Sequence, residues 1–155
     1  MAKYVAEVLW TLKDGEDFLK GRYSRGHSIT FDGGVELAAS ASPHVVGKWA
    51  DAAAVDPEEM MVAALSNCHM LTFLHRARLA GFLAVRYQDA AEGIMEEVRP
   101  GRQALTKVWL RPVIAWQGGE PTAEQLAQLH HEAHDECFIA NSVTTQVVVE
   151  ARTSE

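Results

Sequence analysis

Basic charge, cysteine and long apolar runs are all scarce in this sequence, and each scarcity closes off a class of function. Lys and Arg number 14 against 21 Asp and Glu, a formal net charge of -7. A surface of that sign repels the phosphates of nucleic acid and the headgroups of anionic membranes. No apolar run reaches the roughly 20 residues of a membrane-spanning helix. The start, "MAKYVAEVLWTL", carries Glu7 inside its apolar part and lacks the basic-then-apolar order of a secretory signal. A cytoplasmic protein with no nucleic-acid and no membrane partner is therefore expected. Only two cysteines occur, Cys68 and Cys137, and in a reducing compartment two thiols do not make a permanent staple. They are inert core residues, metal ligands or a redox pair.

No linker rich in Pro, Gly or Ser, no shift of composition and no internal repeat divides the 155 residues. A single domain over residues 1–155 is expected, long enough to bury a hydrophobic core.

Strands are expected in "KYVAEVLWTL", "HSITF" and "VELAAS", with Asp32-Gly33-Gly34 marking a hairpin between the last two. The following "SPHVVGKWADAAAVD" shows no period and reads as a loop. Asp56-Pro57-Glu58-Glu59 is a helix start: a capping aspartate, proline at the first helical position and two acids in the first turn. That helix should run from about Pro57 to Leu79 and stop at Gly81. Between Met60 and Leu74 it is apolar almost all round, which predicts burial on most sides, at the centre of the domain or in a subunit interface. "FLAVRYQDAAEGIMEEV" and "ALTKVWLRPVIAWQ" read as two long strands, Pro121-Thr122 opens a second helix reaching Cys137, and "TTQVVVEA" reads as a last strand. The order predicts an α+β domain, two helices packed on antiparallel sheet.

Steps of three and four residues along the second helix put Cys137 on its apolar face, as Cys68 is on the first, so the two thiols can meet. Buried free cysteine often behaves as a small hydrophobe, and periodicity alone leaves that reading open beside a redox pair. Redox chemistry would need a cation or hydrogen-bond donor to sustain a thiolate, and a second thiol to trap the sulfenic acid.

"DPEEMMVAALSNCHMLTFL", followed at long range by "AHDECFIANSV" and preceded by "YSRGHSITFDGG", resembles the OsmC/Ohr family of thiol-dependent peroxidases. The resemblance covers nearly the whole chain. It implies an OsmC-like α+β fold, antiparallel sheets around two central helices in an intertwined homodimer with its active sites at the interface. It implies that Cys68 attacks the peroxide and that Cys137 resolves the product as a disulfide. Glu58 would pair with an arginine that activates Cys68, and Arg25 matches that arginine better than Arg22 by its spacing to "FDGG". The substrates would be organic hydroperoxides and hydrogen peroxide, and the reductant a dithiol such as a lipoyl protein or a small thiol. No cofactor and no metal are implied.

Helix geometry adds a constraint. Glu58 lies ten residues before Cys68, roughly 15 Å along a straight helix and about 80° around it. Either the helix breaks between them, or Glu58 serves the Cys68 of a second chain. Met60, Met61, Phe73 and Phe138 are candidates for an apolar peroxide pocket, though plain core is the simpler role for most of them.

The sequence departs from the family at Phe138, where many relatives have proline, and in its histidines. His27 is near Arg25, His69 adjoins Cys68, and His130, His131 and His134 precede Cys137. On one helix His130, His134 and Cys137 share an arc of about 60°, so a zinc or other transition-metal site built from Cys68 or His69 with His130, His134 and Cys137 is an alternative. A third is a non-catalytic dimer binding a small apolar ligand between its helices.

Overall fold

The computed structural model describes residues 1–151, and the chain divides into two compact units, residues 1–60 and residues 61 onward.

In the first unit β1 (Ala6–Leu9), β2 (His27–Phe31) and β3 (Glu36–Ala39) form an antiparallel sheet in the order β1-β2-β3. The β2–β3 hairpin closes through Gly34, whose φ of 81° is the left-handed region glycine tolerates. Phe31 and Val35 meet across it, the Phe31 N–H donating to the Val35 carbonyl at 2.9 Å. Between β1 and β2 the chain folds over an aromatic cluster of Trp10, Phe18 and Tyr23, with Trp10 Nε1 donating to the Ser24 carbonyl at 2.9 Å. That cluster fixes the approach to Arg25.

The stretch expected as a loop holds a short helix α1 (Pro43–Val46) and a 3-10 turn (Gly47–Trp49). Ser42 caps α1 and Pro43 occupies its first turn. One turn is too short to show a period, so only the local Ser-Pro signal marked it.

Helix α2 runs unbroken from Pro57 to Leu79. A reciprocal cap holds its start: Asp56 Oδ1 accepts from Glu59 N at 2.8 Å, and Glu59 Oε2 accepts from Asp56 N at 3.1 Å. Its end is a Schellman turn, with Phe82 N donating to Ala77 O, Gly81 N donating to Arg78 O, and Gly81 at φ 84°.

The two long strands are each broken in two. β4 (Leu83–Asp89) pairs with β7 (Pro112–Gln117), and β5 (Glu92–Arg99) pairs with β6 (Arg102–Leu110), in two different sheets. The breaks face each other through Asp89, whose carboxylate accepts from Arg111 N at 2.6 Å and from Ser66 Oγ at 2.5 Å. A side chain thus takes a backbone N–H that a continuous ladder would have paired. β8 (Gln146–Val149) joins β6 in parallel, so the sheet is antiparallel except at this one pairing. Helix α3 (Ala123–Glu136) starts with a capping box between Thr122 and Gln125, and Cys137 is its C-cap.

Two apolar clusters fill the second unit. Phe73, Ala77, Ile114, Leu129 and Ala133 join α2, α3 and β7, while Leu65, Val108 and Leu110 join α2 to β6. α2 buries a single stripe, Leu65, His69, Phe73 and Ala77, spaced by four residues. The opposite stripe stays open in the single chain, with Leu71 58% exposed, so burial on most sides is not reached within one chain. No helix among the described residues is long and apolar enough to cross a membrane.

Candidate active site

Cys68 stands in the middle of α2 and Cys137 at the point where α3 ends. The structure brings them together. Burial first, and then the adjoining Cys68 thiol, push the Cys137 thiol up to about 11, while the N–H groups of Ala140 and Ile139 pull it the other way. The Ala140 N–H lies 3.4 Å from Cys137 Sγ, placed there by the 3-10 turn Ala140–Ser142 that follows the helix. Both cysteines are free; Cys137 is 1% exposed and Cys68 is partly open. At neutral pH Cys137 is therefore a protonated thiol, shielded from solvent and against a more accessible one. Of the two, Cys68 is the one open to solvent.

The histidines form a second contact between the same helices. His69 Nε2 and His130 Nδ1 are 3.0 Å apart, with the ring planes 8° from parallel, and His130 also stacks on Phe73 at 4.2 Å. Both rings are buried, at 1% and 5% exposure. Desolvation is the main cause that lowers both, to about 4 for His69 and about 3 for His130, so both are neutral at pH 7. His134 adds to the lowering of His69, and Asp89 opposes it. The outer nitrogens, His69 Nδ1 and His130 Nε2, have no hydrogen-bond partner, and neither does His134 Nδ1.

Among the described residues, no three His, Cys, Asp or Glu side chains converge where a metal ion could sit. The spacing on α3 that suggested zinc is real, but His130 is spent on His69 and Cys137 on Cys68, which gives the metal reading no support.

Arg25 and Glu58 belong to the first unit. Arg25 lays its guanidinium 3.5 Å over the Tyr23 ring and donates from Nη1 to the Tyr23 carbonyl at 2.6 Å. Its backbone N–H is held by Trp49 O, and His27 Nδ1 lies 2.8 Å from the Arg25 carbonyl. Arg22 pairs through its backbone with Asp17. Glu58 Oε2 is buried without a partner. Among the described residues no ion pair involves Arg22, Arg25 or Glu58. Because α2 has no break, the helix arithmetic separating Glu58 from the Cys68 of its own helix stands.

The apolar candidates divide. Phe73 is fully buried core and Met61 packs beside Leu65, whereas Phe138 is 81% exposed. Phe138 borders an open groove of about 700 Å³ with Leu71, Thr72, His75, Asp135, Glu136 and Asn141. Neither cysteine lines it. The His69–His130 bond was not foreseen; the signal for it was a histidine at position 69 inside the otherwise apolar stripe of Leu65, Phe73 and Ala77.

The model of the OsmC-like protein family matches residues 50–152. An OsmC-like protein of unknown function from Vibrio cholerae is 49% identical, with a TM-score of 0.94 over 98% of this chain and 100% of that one. An organic hydroperoxide resistance protein from Elizabethkingia anophelis shares the fold at 18% identity, with a TM-score of 0.72 over 100% and 97% of the two chains. Another, from Legionella pneumophila, does so at 19% identity, with a TM-score of 0.69 over 100% and 98%. No curated protein matches the chain. With its family match across residues 50–152 and its 49% identity to the Vibrio cholerae protein, the chain belongs to the OsmC-like family.

Proposed function

We propose that the protein is a cysteine-based, thiol-dependent peroxidase that reduces organic hydroperoxides, hydrogen peroxide or both. The observation that carries this reading is the pairing of a partly open Cys68 with a buried, protonated Cys137. The names of the Elizabethkingia and Legionella proteins, organic hydroperoxide resistance proteins, point the same way.

The Cys68 thiolate attacks the distal peroxide oxygen, the O–O bond breaks, and the leaving alkoxide takes a proton to become an alcohol, or water when the peroxide is hydrogen peroxide. Cys137 then displaces hydroxide from the Cys68 sulfenic acid, its thiol proton leaves with that hydroxide as water, and a Cys68–Cys137 disulfide remains. A dithiol, a lipoyl protein or small thiol, reopens the disulfide by exchange and is itself oxidised. Arg25 stabilises the Cys68 thiolate and the charge developing on the peroxide oxygens, and Glu58 orients Arg25.

The active form is a homodimer. Val8 and Leu9 on β1, Leu71 on α2 and Phe138 are exposed apolar side chains that a second copy would cover. Glu58 is partly buried, and its Oε2, without a hydrogen-bond partner in its own chain, fits a role in the site of the partner chain. Sedimentation equilibrium should give twice the chain mass, and a folded, active monomer would contradict the shared site. The peroxidase reading is tested by following cumene hydroperoxide and hydrogen peroxide consumption with dihydrolipoamide as reductant. Catalytic turnover that disappears in Cys68→Ser is expected; turnover that persists in that variant sinks the reading.

A further inference from the structure

His69 and His130 have no part in the chemistry proposed above, and packing alone does not account for them. A buried polar atom left without a partner costs about 1–3 kcal/mol, and this pair leaves two, His69 Nδ1 and His130 Nε2. A pair of leucines would leave none. The polar pair does supply a directional contact at 3.0 Å between α2 and α3.

That contact is one of two rungs joining these helices beside the site. The other is Cys68 against Cys137. The residues of the two rungs are adjacent on α2, while His130 lies on α3 seven residues before Cys137 at its C-cap. Packed thiols tolerate sliding, whereas an N–H···N bond between rings with planes 8° apart does not. Stacking on Phe73, which is itself fully buried, further fixes the His130 ring.

We propose that the His69–His130 hydrogen bond is a positioning contact for disulfide closure, holding α2 on α3 so that Cys137 bears on Cys68. The involvement of peroxide rests on the function proposed above, but closure does not need it. Oxidised dithiothreitol forms the same bond by exchange: its own S–S bond breaks, it takes up both thiol protons, and the protein disulfide forms.

The test is the equilibrium constant for Cys68–Cys137 closure in dithiothreitol redox buffers, measured on the full chain by thiol trapping and mass spectrometry. His130→Leu and His69→Leu should each lower the constant about tenfold, a change of about 30 mV for this two-electron couple. His130→Asn, whose amide reaches the place of Nδ1, should recover most of it. Val108→Ala, on β6 in the separate cluster with Leu65 and Leu110 and away from α3, should lower the melting temperature and leave the constant unchanged. Folded leucine variants that close with the wild-type constant overturn the proposal. So does an asparagine variant as poor as leucine, or a Val108→Ala constant that falls as far. If a leucine variant does not fold, His130→Ser, too short to reach His69, replaces it with the same two outcomes. A wild-type protein that closes in dithiothreitol but ignores peroxide removes the peroxidase reading and leaves this comparison intact.

Discussion

Cys137 lies against Cys68 with its own thiol buried and protonated, while Cys68 keeps part of its surface open. This asymmetry assigns the two roles in the proposed cycle. The first thiol must meet substrate, and the second must only meet the first.

Replacing each thiol should therefore fail differently. Cys68→Ser removes the nucleophile and is expected to lower peroxide consumption by about a thousandfold or more. Cys137→Ser should keep the first step and accumulate sulfenic acid, which dimedone labels at Cys68, and excess peroxide should carry it on to sulfinic acid. Equal labelling of wild type and Cys137→Ser would remove the resolving role.

Arg25 is held by the Tyr23 ring and carbonyl, contacts that fix a cation without neutralising it. Removing one hydrogen-bond donor from a developing oxyanion typically costs about 100- to 1000-fold, so Arg25→Ala should lose about that much in kcat/KM for peroxide with its circular dichroism unchanged. Stopped-flow measurement of Cys68 oxidation checks it. Wild-type rates in that variant would take Arg25 out of the site.

The histidine pair predicts acid lability. An imidazole titrates near 6.5 in an unfolded chain, but folding holds His69 at about 4 and His130 at about 3. Both depressions favour the unfolded state as protons become available. The stability they represent is intact above about pH 6.5 and drains away as pH falls toward 3, about 1.4 kcal/mol for each unit of depression. His134 and Asp89 bear on His69 with opposite signs. Urea midpoints measured from pH 7 to pH 4 should fall more steeply in wild type than in His69→Gln/His130→Asn. Parallel curves would show that these rings do not set the acid limit.

Gly81 ends α2 at φ 84°, a conformation that a side chain resists. Gly81→Ala should cost about 1 kcal/mol in urea denaturation, leaving the thiol chemistry intact. No loss of stability would contradict the Schellman account of this terminus.

Some of this was legible because it is local. The signals at Asp56 to Glu59 and at Gly81 set both ends of α2, because caps and left-handed glycines act over three or four residues. Thr122 did the same for α3. What was hidden depends on distant partners. The breaks after Asp89 and before Pro112 come from one carboxylate reaching Arg111 N and Ser66 Oγ, and no window of sequence contains all three. The parallel pairing of β8 with β6 is equally non-local. At the site, spacing put each cysteine on an apolar face, and only the fold could bring the two faces together. It also joined two of the histidines offered as alternative metal ligands, His69 and His130, in a hydrogen bond.

In the proposed cycle Cys68 and Cys137 form a redox couple answering to peroxide. The most direct test is intact and peptide mass spectrometry of fully reduced protein after one equivalent of cumene hydroperoxide, with hydrogen peroxide in parallel. Rapid loss of two hydrogens and a Cys68–Cys137 crosslink in the peptide map are expected. Two free thiols in folded protein after exposure to both peroxides would contradict it.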